Sequence, residues 1–319
     1  MADRSIFLIL AAVVLLAALA VAAWQLASRP PVSAATIQAA YDTPAPPPAD
    51  GLRVFHVGHS LVGRNMPAML AQLAGDGHRY ESQLGWGTSL MEHWEPDEDI
   101  KGFDTENAHP RFRPAREAIA TGDYDAVVLT EMVEIRDAVK YHKSGKYFAK
   151  WAELARQADP ETRIYLYETW HRLDDPDGWL ARLDRDLDRY WIGEILAADL
   201  ARNKPERPAY LIPAGQVMAE FVRKLEARGG IGDLTSREDL FKRKQDGTLD
   251  PIHVNDIGAY LVALVHFAVL YQASPVGLPH ALTLADGTPA ATPGEEAARV
   301  MQQTVWEVVR RHPQTGVPQ

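Results

Sequence analysis

A three-layer α/β/α sandwich around a mainly parallel sheet is predicted by three observations. Apolar, β-rich segments alternate with helical patterns, a strand, turn and helix open the series at Arg53, and no internal repeat interrupts it. Strands that alternate with helices pair in parallel because each crossover carries a connecting segment over the sheet face. The reading runs Arg53 to Val57 as a strand, Gly58 as a sharp turn and Asn65 to Ala74 as a helix. Tyr80 to Leu84 follows as a strand, Pro114 to Ala120 as a helix and Asp125 to Thr130 as an apolar strand. Lys146 to Gln157 then reads as a helix, Arg163 to Glu168 as a strand, Trp179 to Ala201 as a long helix and Ala209 to Pro213 as a short strand. Ile257 to Tyr271 is expected to be the final helix. In such sheets reactive groups gather where the strands end, so Ser60, just past the first strand, falls in a functional position.

The chain divides into four expected parts. Residues 1–27 contain the unbroken apolar run Ile6 to Trp24, preceded by Arg4. About 20 apolar residues suit a spanning helix, whereas a cleavable signal has an apolar core of about 7 to 15. Length favours an uncleaved anchor; Ala22, Ala23 and Ala27 leave cleavage open, and a buried soluble helix is the remaining alternative. Either of the first two readings places the rest of the chain outside the cytoplasm, membrane-anchored or secreted. Residues 28–50, with Pro30, Pro31, Pro44, Pro46, Pro47 and Pro48, read as an extended tether. Residues 51–311 form the expected domain and 312–319 a loose tail.

Composition excludes several functions. A formal net charge of −10 offers no concentrated positive surface for a nucleic acid. With no cysteine there is no disulfide framework, thiolate nucleophile or Cys-based metal site. No metal spacing singles out His56 or His59, which read as structural or exposed, and no metal or organic cofactor is assigned. The mixed charges from Asp184 to Arg189 read as a solvated helix face.

Two segments carry chemistry: Gly58-His59-Ser60-Leu61 after the first strand, and Asp250-Pro251-Ile252-His253 before the last predicted helix. A serine hydroxyl is a weak nucleophile at neutral pH, so it needs a histidine to take its proton and a carboxylate to orient that ring. Within one turn, a spacing of three residues can set the Asp250 carboxylate beside the His253 imidazole. Ser60 as a plain turn residue, and Asp250 with His253 as caps of the last helix, are the structural alternatives.

Taken together, the segments resemble the SGNH, or GDSL-like, hydrolases. Gly58-His59-Ser60-Leu61 is similar to their first sequence block, and Asp250-Pro251-Ile252-His253-Val254-Asn255-Asp256-Ile257-Gly258 to their last. The likeness spans about residues 52 to 272 in block order. It implies a flavodoxin-like fold and an acyl-enzyme mechanism without a cofactor, with Ser60 as nucleophile, His253 as base and then acid, and Asp250 as orienter. It also implies an oxyanion hole from the Ser60 amide and the Gly87 amide of Gly85-Trp86-Gly87-Thr88-Ser89, with Gly85 as the alternative. The family's third donor is an asparagine after strand three, where this chain has Glu131. An ionised carboxylate repels an oxyanion, so Glu131 has to be protonated, turned away or replaced by a donor such as Thr130.

Trp86, Trp94, Trp170 and His171 lie in predicted loops at or after strand ends, where they either pack in the core or face a sugar ring. Trp86, Trp170 and His171 are the substrate-binding candidates. The leading expectation is an esterase acting on small acyl esters, including O-acetyl groups of an envelope polysaccharide. A polysaccharide O-acyltransferase and a noncatalytic glycan-binding scaffold are the alternatives. Acyl length, the alcohol portion and oligomeric state leave no trace in the sequence.

Overall fold

The computed structural model of the protein describes residues 32–48 and 51–319. The apolar run Ile6 to Trp24 therefore lies outside the described residues, and no described helix is long and apolar enough to cross a membrane.

Five strands build one parallel sheet: β1 (Arg53–His59), β2 (Arg79–Gly85), β3 (Ala126–Thr130), β4 (Arg163–Glu168) and β5 (Tyr210–Pro213), in the order β2-β1-β3-β4-β5. This is the flavodoxin-like strand order. Strands β3 and β4 are buried along their whole length, so both sheet faces are covered, and their near-continuous apolar runs follow from that.

The helices are α1 (Ala34–Ala40), α2 (Asn65–Ala74), α3 (Leu90–Trp94), α4 (Phe103–Asn107), α5 (Ala115–Ile119), α6 (Ile135–Tyr141) and α7 (Ser144–Ala158). They continue with α8 (Trp179–Asp186), a π-helical stretch (Leu187–Leu196), α9 (Ala197–Asn203), α10 (Ala214–Arg228), α11 (Asp256–Tyr271) and α12 (Glu295–Arg311). Helix α11 packs against α2, α10 and α12, whereas α7 packs against α3, α9 and the π-helical stretch. The sequence expectation of an α/β/α sandwich matches this architecture.

Several local expectations are corrected. Gly58 belongs to β1 and is not the turn residue. It is needed for space: a Cβ there would sit 2.7 Å from Cβ of Thr130 and 2.9 Å from Cγ2 of Val62. The long helix from Trp179 is interrupted by the π-helical stretch. Helix α11 is not the last, because α12 follows it with Ala297, Val300, Met301 and Val305 buried at helical spacing. Asp250 and His253 lie on a strand, β7 (Leu249–Val254), which pairs antiparallel with β6 (Phe241–Arg243).

The expected tether is partly folded. Ser33 caps α1 by accepting from the Thr36 amide at 3.1 Å, and Ile37, Tyr41 and Ala45 join the core. The Tyr41 hydroxyl donates to the Ala209 carbonyl at 2.7 Å, and the Ala45 amide to the Gly316 carbonyl at 2.8 Å. The tail is therefore not loose, and Thr315 and Val317 are buried. Proline content suggested an exposed linker, but one apolar residue per turn from Ile37 to Tyr41 suffices to dock a short helix.

Histidines buried in this core set its acid response. Burial is the largest influence on each of His59, His78, His93, His171 and His266 and lowers each to about 4, and it lowers His56 well below the ordinary histidine value. Between about pH 4 and 6.5 the unfolded chain therefore binds more protons than the folded one, and acidification favours unfolding. Burial pushes Glu131 up to about 7 and Glu168 up to about 8, which acts in the opposite sense because the folded state holds those protons more tightly. Six histidines outweigh two glutamates in the lower window. The protein is expected to melt at a lower temperature at pH 5 than at pH 7; equal or higher melting at pH 5, followed by circular dichroism, would contradict this balance.

Candidate active site

Strand β1 delivers Ser60 to the carboxyl edge of the sheet. The chain turns directly after it, with the Val62 amide donating to the His59 carbonyl at 2.9 Å, and α2 begins at Asn65. His59 pairs in register with Gly85, so the glycine turn Gly85-Trp86-Gly87 emerges beside the turn that holds Ser60. Gly87 has a left-handed φ of +60° and open space around a would-be Cβ. Its requirement for glycine is therefore one of backbone conformation and not of room.

The other two residues arrive from β7. The Ser60 hydroxyl lies 3.0 Å from His253 Nε2, and His253 Nδ1 lies 2.8 Å from Asp250 Oδ2. The other carboxylate oxygen of Asp250 accepts from the amides of Ile252 and His253, each at 3.1 Å. Partial burial is the largest influence on Asp250 and raises it, yet the hydrogen bonds from the His253 ring and the two amides hold it below the usual carboxylate range. A carboxylate kept ionised beside Nδ1 fixes the tautomer that leaves Nε2 free to accept a proton.

The strand carrying this pair is braced from below. The Trp170 indole donates to the Ile252 carbonyl at 2.8 Å, and the Leu173 amide donates to the Pro251 carbonyl at 2.8 Å. Asn255, not Asp250 or His253, caps α11, accepting from the amides of Ile257 and Gly258 at 3.0 and 3.1 Å. Its side-chain nitrogen donates to the carbonyls of Asp239 and Phe241, tying the cap to β6. Gly258 is required because a Cβ would lie 2.4 Å from the Leu240 carbonyl oxygen.

Of the aromatic candidates, Trp86 is 51% exposed on the turn that follows β2, its indole donating to Glu106 at 2.7 Å. Trp170 and His171 are buried, so the expectation that they form a specificity wall is corrected. Trp170 is committed to the Ile252 carbonyl. His171 faces Asp186 at 3.3 Å. Trp94 packs edge-on against Trp151 with ring centroids 4.9 Å apart.

His171, Asp186 and Glu134 converge closely enough to offer three ligand atoms to a cation. The cluster already serves one. Arg182 reaches Glu134, Asp175 and Asp186 at 2.6 Å each, and this guanidinium hub is buried between α8 and the segment before α6.

Glu131 is fully buried, and only one of its carboxylate oxygens is hydrogen-bonded. Its Oε1 accepts from the Met132 amide at 2.8 Å and the Leu90 amide at 3.3 Å. Its carbonyl accepts from His59 Nε2 at 2.8 Å, while His59 Nδ1 accepts from the Leu61 amide at 3.3 Å. Thr130, the alternative donor, is buried in contact range of Gly58. His59, Trp170 in its bracing role and His93, whose Nε2 donates to the Gly58 carbonyl at 2.7 Å, are supports that sequence reasoning did not assign. Their partners are distant in the chain, and no local pattern announces them.

No protein-family model matches the chain, and no curated protein matches it. Among solved structures, it is similar to a DUF4886 family protein from Bacteroides uniformis at 15% identity and a TM-score of 0.49, covering 82% of this chain and 95% of that one. It is similar to a salicylyl-acyltransferase from a tetracycline biosynthetic pathway at 16% identity and a TM-score of 0.40, covering 68% of this chain and 53% of that one. A carbohydrate esterase family 3 structure from Talaromyces cellulolyticus aligns at 15% identity and a TM-score of 0.32, covering 69% of this chain and 97% of that one. At this distance the site's chemistry follows from its own atoms.

Replacing Trp170 by Phe keeps the ring and removes only its donor. The substitution is expected to lower stability to urea by about 1 kcal/mol, the usual net worth of one such bond. An unchanged unfolding midpoint would show that the Ile252 carbonyl does not depend on the indole.

Proposed function

We propose that this chain is a serine esterase of the SGNH type acting on small acyl esters, with Ser60 as nucleophile, His253 as general base and acid, and Asp250 as orienter. The observation that carries the reading is the hydrogen-bonded line from Asp250 through His253 to Ser60, with steps of 2.8 and 3.0 Å. Three residue types that chemistry needs in series stand in series.

In the first half-reaction Ser60 Oγ bonds to the ester carbonyl carbon while its proton passes to His253 Nε2. The negative charge that develops on the carbonyl oxygen is met by the amides of Ser60 and Gly87; aligned donors of this kind lower such barriers by several kcal/mol. Collapse of the tetrahedral intermediate breaks the bond to the alcohol oxygen, which leaves with the proton from Nε2. In the second half-reaction water loses a proton to Nε2, attacks the acyl carbon and releases the free acid, returning the proton to Ser60.

Water is favoured over a sugar hydroxyl as the acceptor because the His253 side chain is 37% exposed, which leaves the acyl-enzyme open to solvent. Trp86, exposed on the turn that emerges beside Ser60, offers an aromatic face of the size of a sugar ring, and this supports an acylated glycan as substrate. The Ile6 to Trp24 run supports placement at the cell envelope, anchored in a membrane or released after cleavage.

Hydrolysis of short-chain aryl esters and of O-acetylated glycans is expected in the wild type, and a loss of roughly 1000-fold or more in kcat/KM is expected for Ser60→Ala. Equal activity of the two proteins would refute Ser60 catalysis. Release of free acid in the presence of an unacetylated glycan acceptor is the expected product; acylated acceptor in its place would point to transfer.

A further inference from the structure

Position 131 follows β3 and adjoins both turns that carry the proposed chemistry. We propose that Glu131 is a positioning residue that holds the glycine turn and the nucleophile turn in register, acting as a hydrogen-bond acceptor where an oxyanion donor was expected. This rests on the esterase reading, because the Gly87 and Ser60 amides matter to catalysis only if an oxyanion forms between them.

On one side, Glu131 Oε1 accepts from the amide of Leu90, the first residue of α3 and three beyond Gly87. That helix start is already rigid: Ser89 accepts from the Glu92 amide at 3.2 Å, and the Glu92 carboxylate accepts from the Ser89 amide at 2.7 Å. Ser89 also contacts His142 Nδ1 at 3.0 Å. Fixing Leu90 therefore fixes the end of the loop in which Gly87 sits. On the other side, the Glu131 carbonyl accepts from His59, the residue before Ser60, and the His59 ring in turn receives the Leu61 amide after it. A single residue thus clasps both flanks of Ser60 and the exit of the glycine turn. His93 adds a second tie between the same elements, from α3 to the Gly58 carbonyl.

Both amides at Oε1 are donors, so the side chain has to accept. An asparagine is one methylene shorter. Burial, opposed by the Met132 and Leu90 amides, raises the carboxyl to about 7, so an uncharged acceptor is tolerated in the same place. Glutamine keeps the accepting oxygen and is the conservative replacement.

Three variants of the full chain, Glu131→Ala, Glu131→Gln and Glu131→Asp, separate the possibilities. For Glu131→Ala, kcat on a short-chain aryl ester is expected to fall by about 10- to 100-fold, with KM within about two-fold, the pattern of misplaced catalytic groups. Glu131→Gln should stay within about three-fold of wild type. Amide hydrogen exchange over Gly87 to Leu90 is expected to quicken in Glu131→Ala and not in Glu131→Gln. Glu131→Asp, whose carboxylate falls short of Leu90, should show the Ala pattern and replaces that variant if it does not fold. Wild-type kcat in Glu131→Ala while Ser60→Ala is inactive would overturn the proposal, as would unchanged exchange across Gly87 to Leu90. Absence of Ser60-dependent turnover in the wild type would instead defeat the esterase reading, and the exchange comparison would then decide the tie by itself.

Discussion

The close approach of β1 to β3 at Gly58 governs where Ser60 stands, and the rest of the site is assembled against it. A methyl group at that position would collide with Thr130 on the neighbouring strand and with Val62 in the turn that follows. Because the glycine lets the two strands meet, His59 comes within reach of the Glu131 carbonyl, and Ser60 emerges at the carboxyl edge between the ends of β2 and β3. Overfilling a packed interior costs typically 1 to 3 kcal/mol, so the constraint is energetic as well as geometric.

Around that contact the fold uses buried polar groups as fasteners. His59, His93, Glu131 and Trp170 each spend a hydrogen bond on the carbonyl or amide of a segment that carries or adjoins the Ser60, Asp250 and His253 line. Such groups are costly to bury unpaired, and each paired one selects a single arrangement of its neighbours. Arg182 does the same for α8 and the segment around Glu134, drawing three carboxylates to one guanidinium. His59 and His93 each use both ring nitrogens in this way, since an imidazole offers one donor and one acceptor in a rigid ring.

The departure at Glu131 becomes intelligible in this setting. A carboxylate pointing at a developing oxyanion would raise the barrier it borders. Turned toward the Leu90 and Met132 amides, Oε1 satisfies one donor that the start of α3 leaves unpaired and one just after β3. Oε1 is turned to those two amides, while burial brings the protonated form within reach near neutral pH.

The sequence by itself determined the alternation of strands and helices and hence the parallel sheet, because buried strands must be apolar throughout and crossovers must pack over them. It also singled out Ser60, Asp250 and His253, the residue types that serine chemistry would need, in two short segments. The folded N-terminal helix, α12 and the strand beneath Asp250 and His253 escaped it: α1 is short, α12 lies beyond the recognisable block, and β7 is half-exposed without alternation. Tertiary structure alone decided the partners of His59 and Trp170, whose bonds span 72 and 82 residues. A buried polar atom takes the partner that folding brings within hydrogen-bond range, and separation along the chain carries no record of that distance.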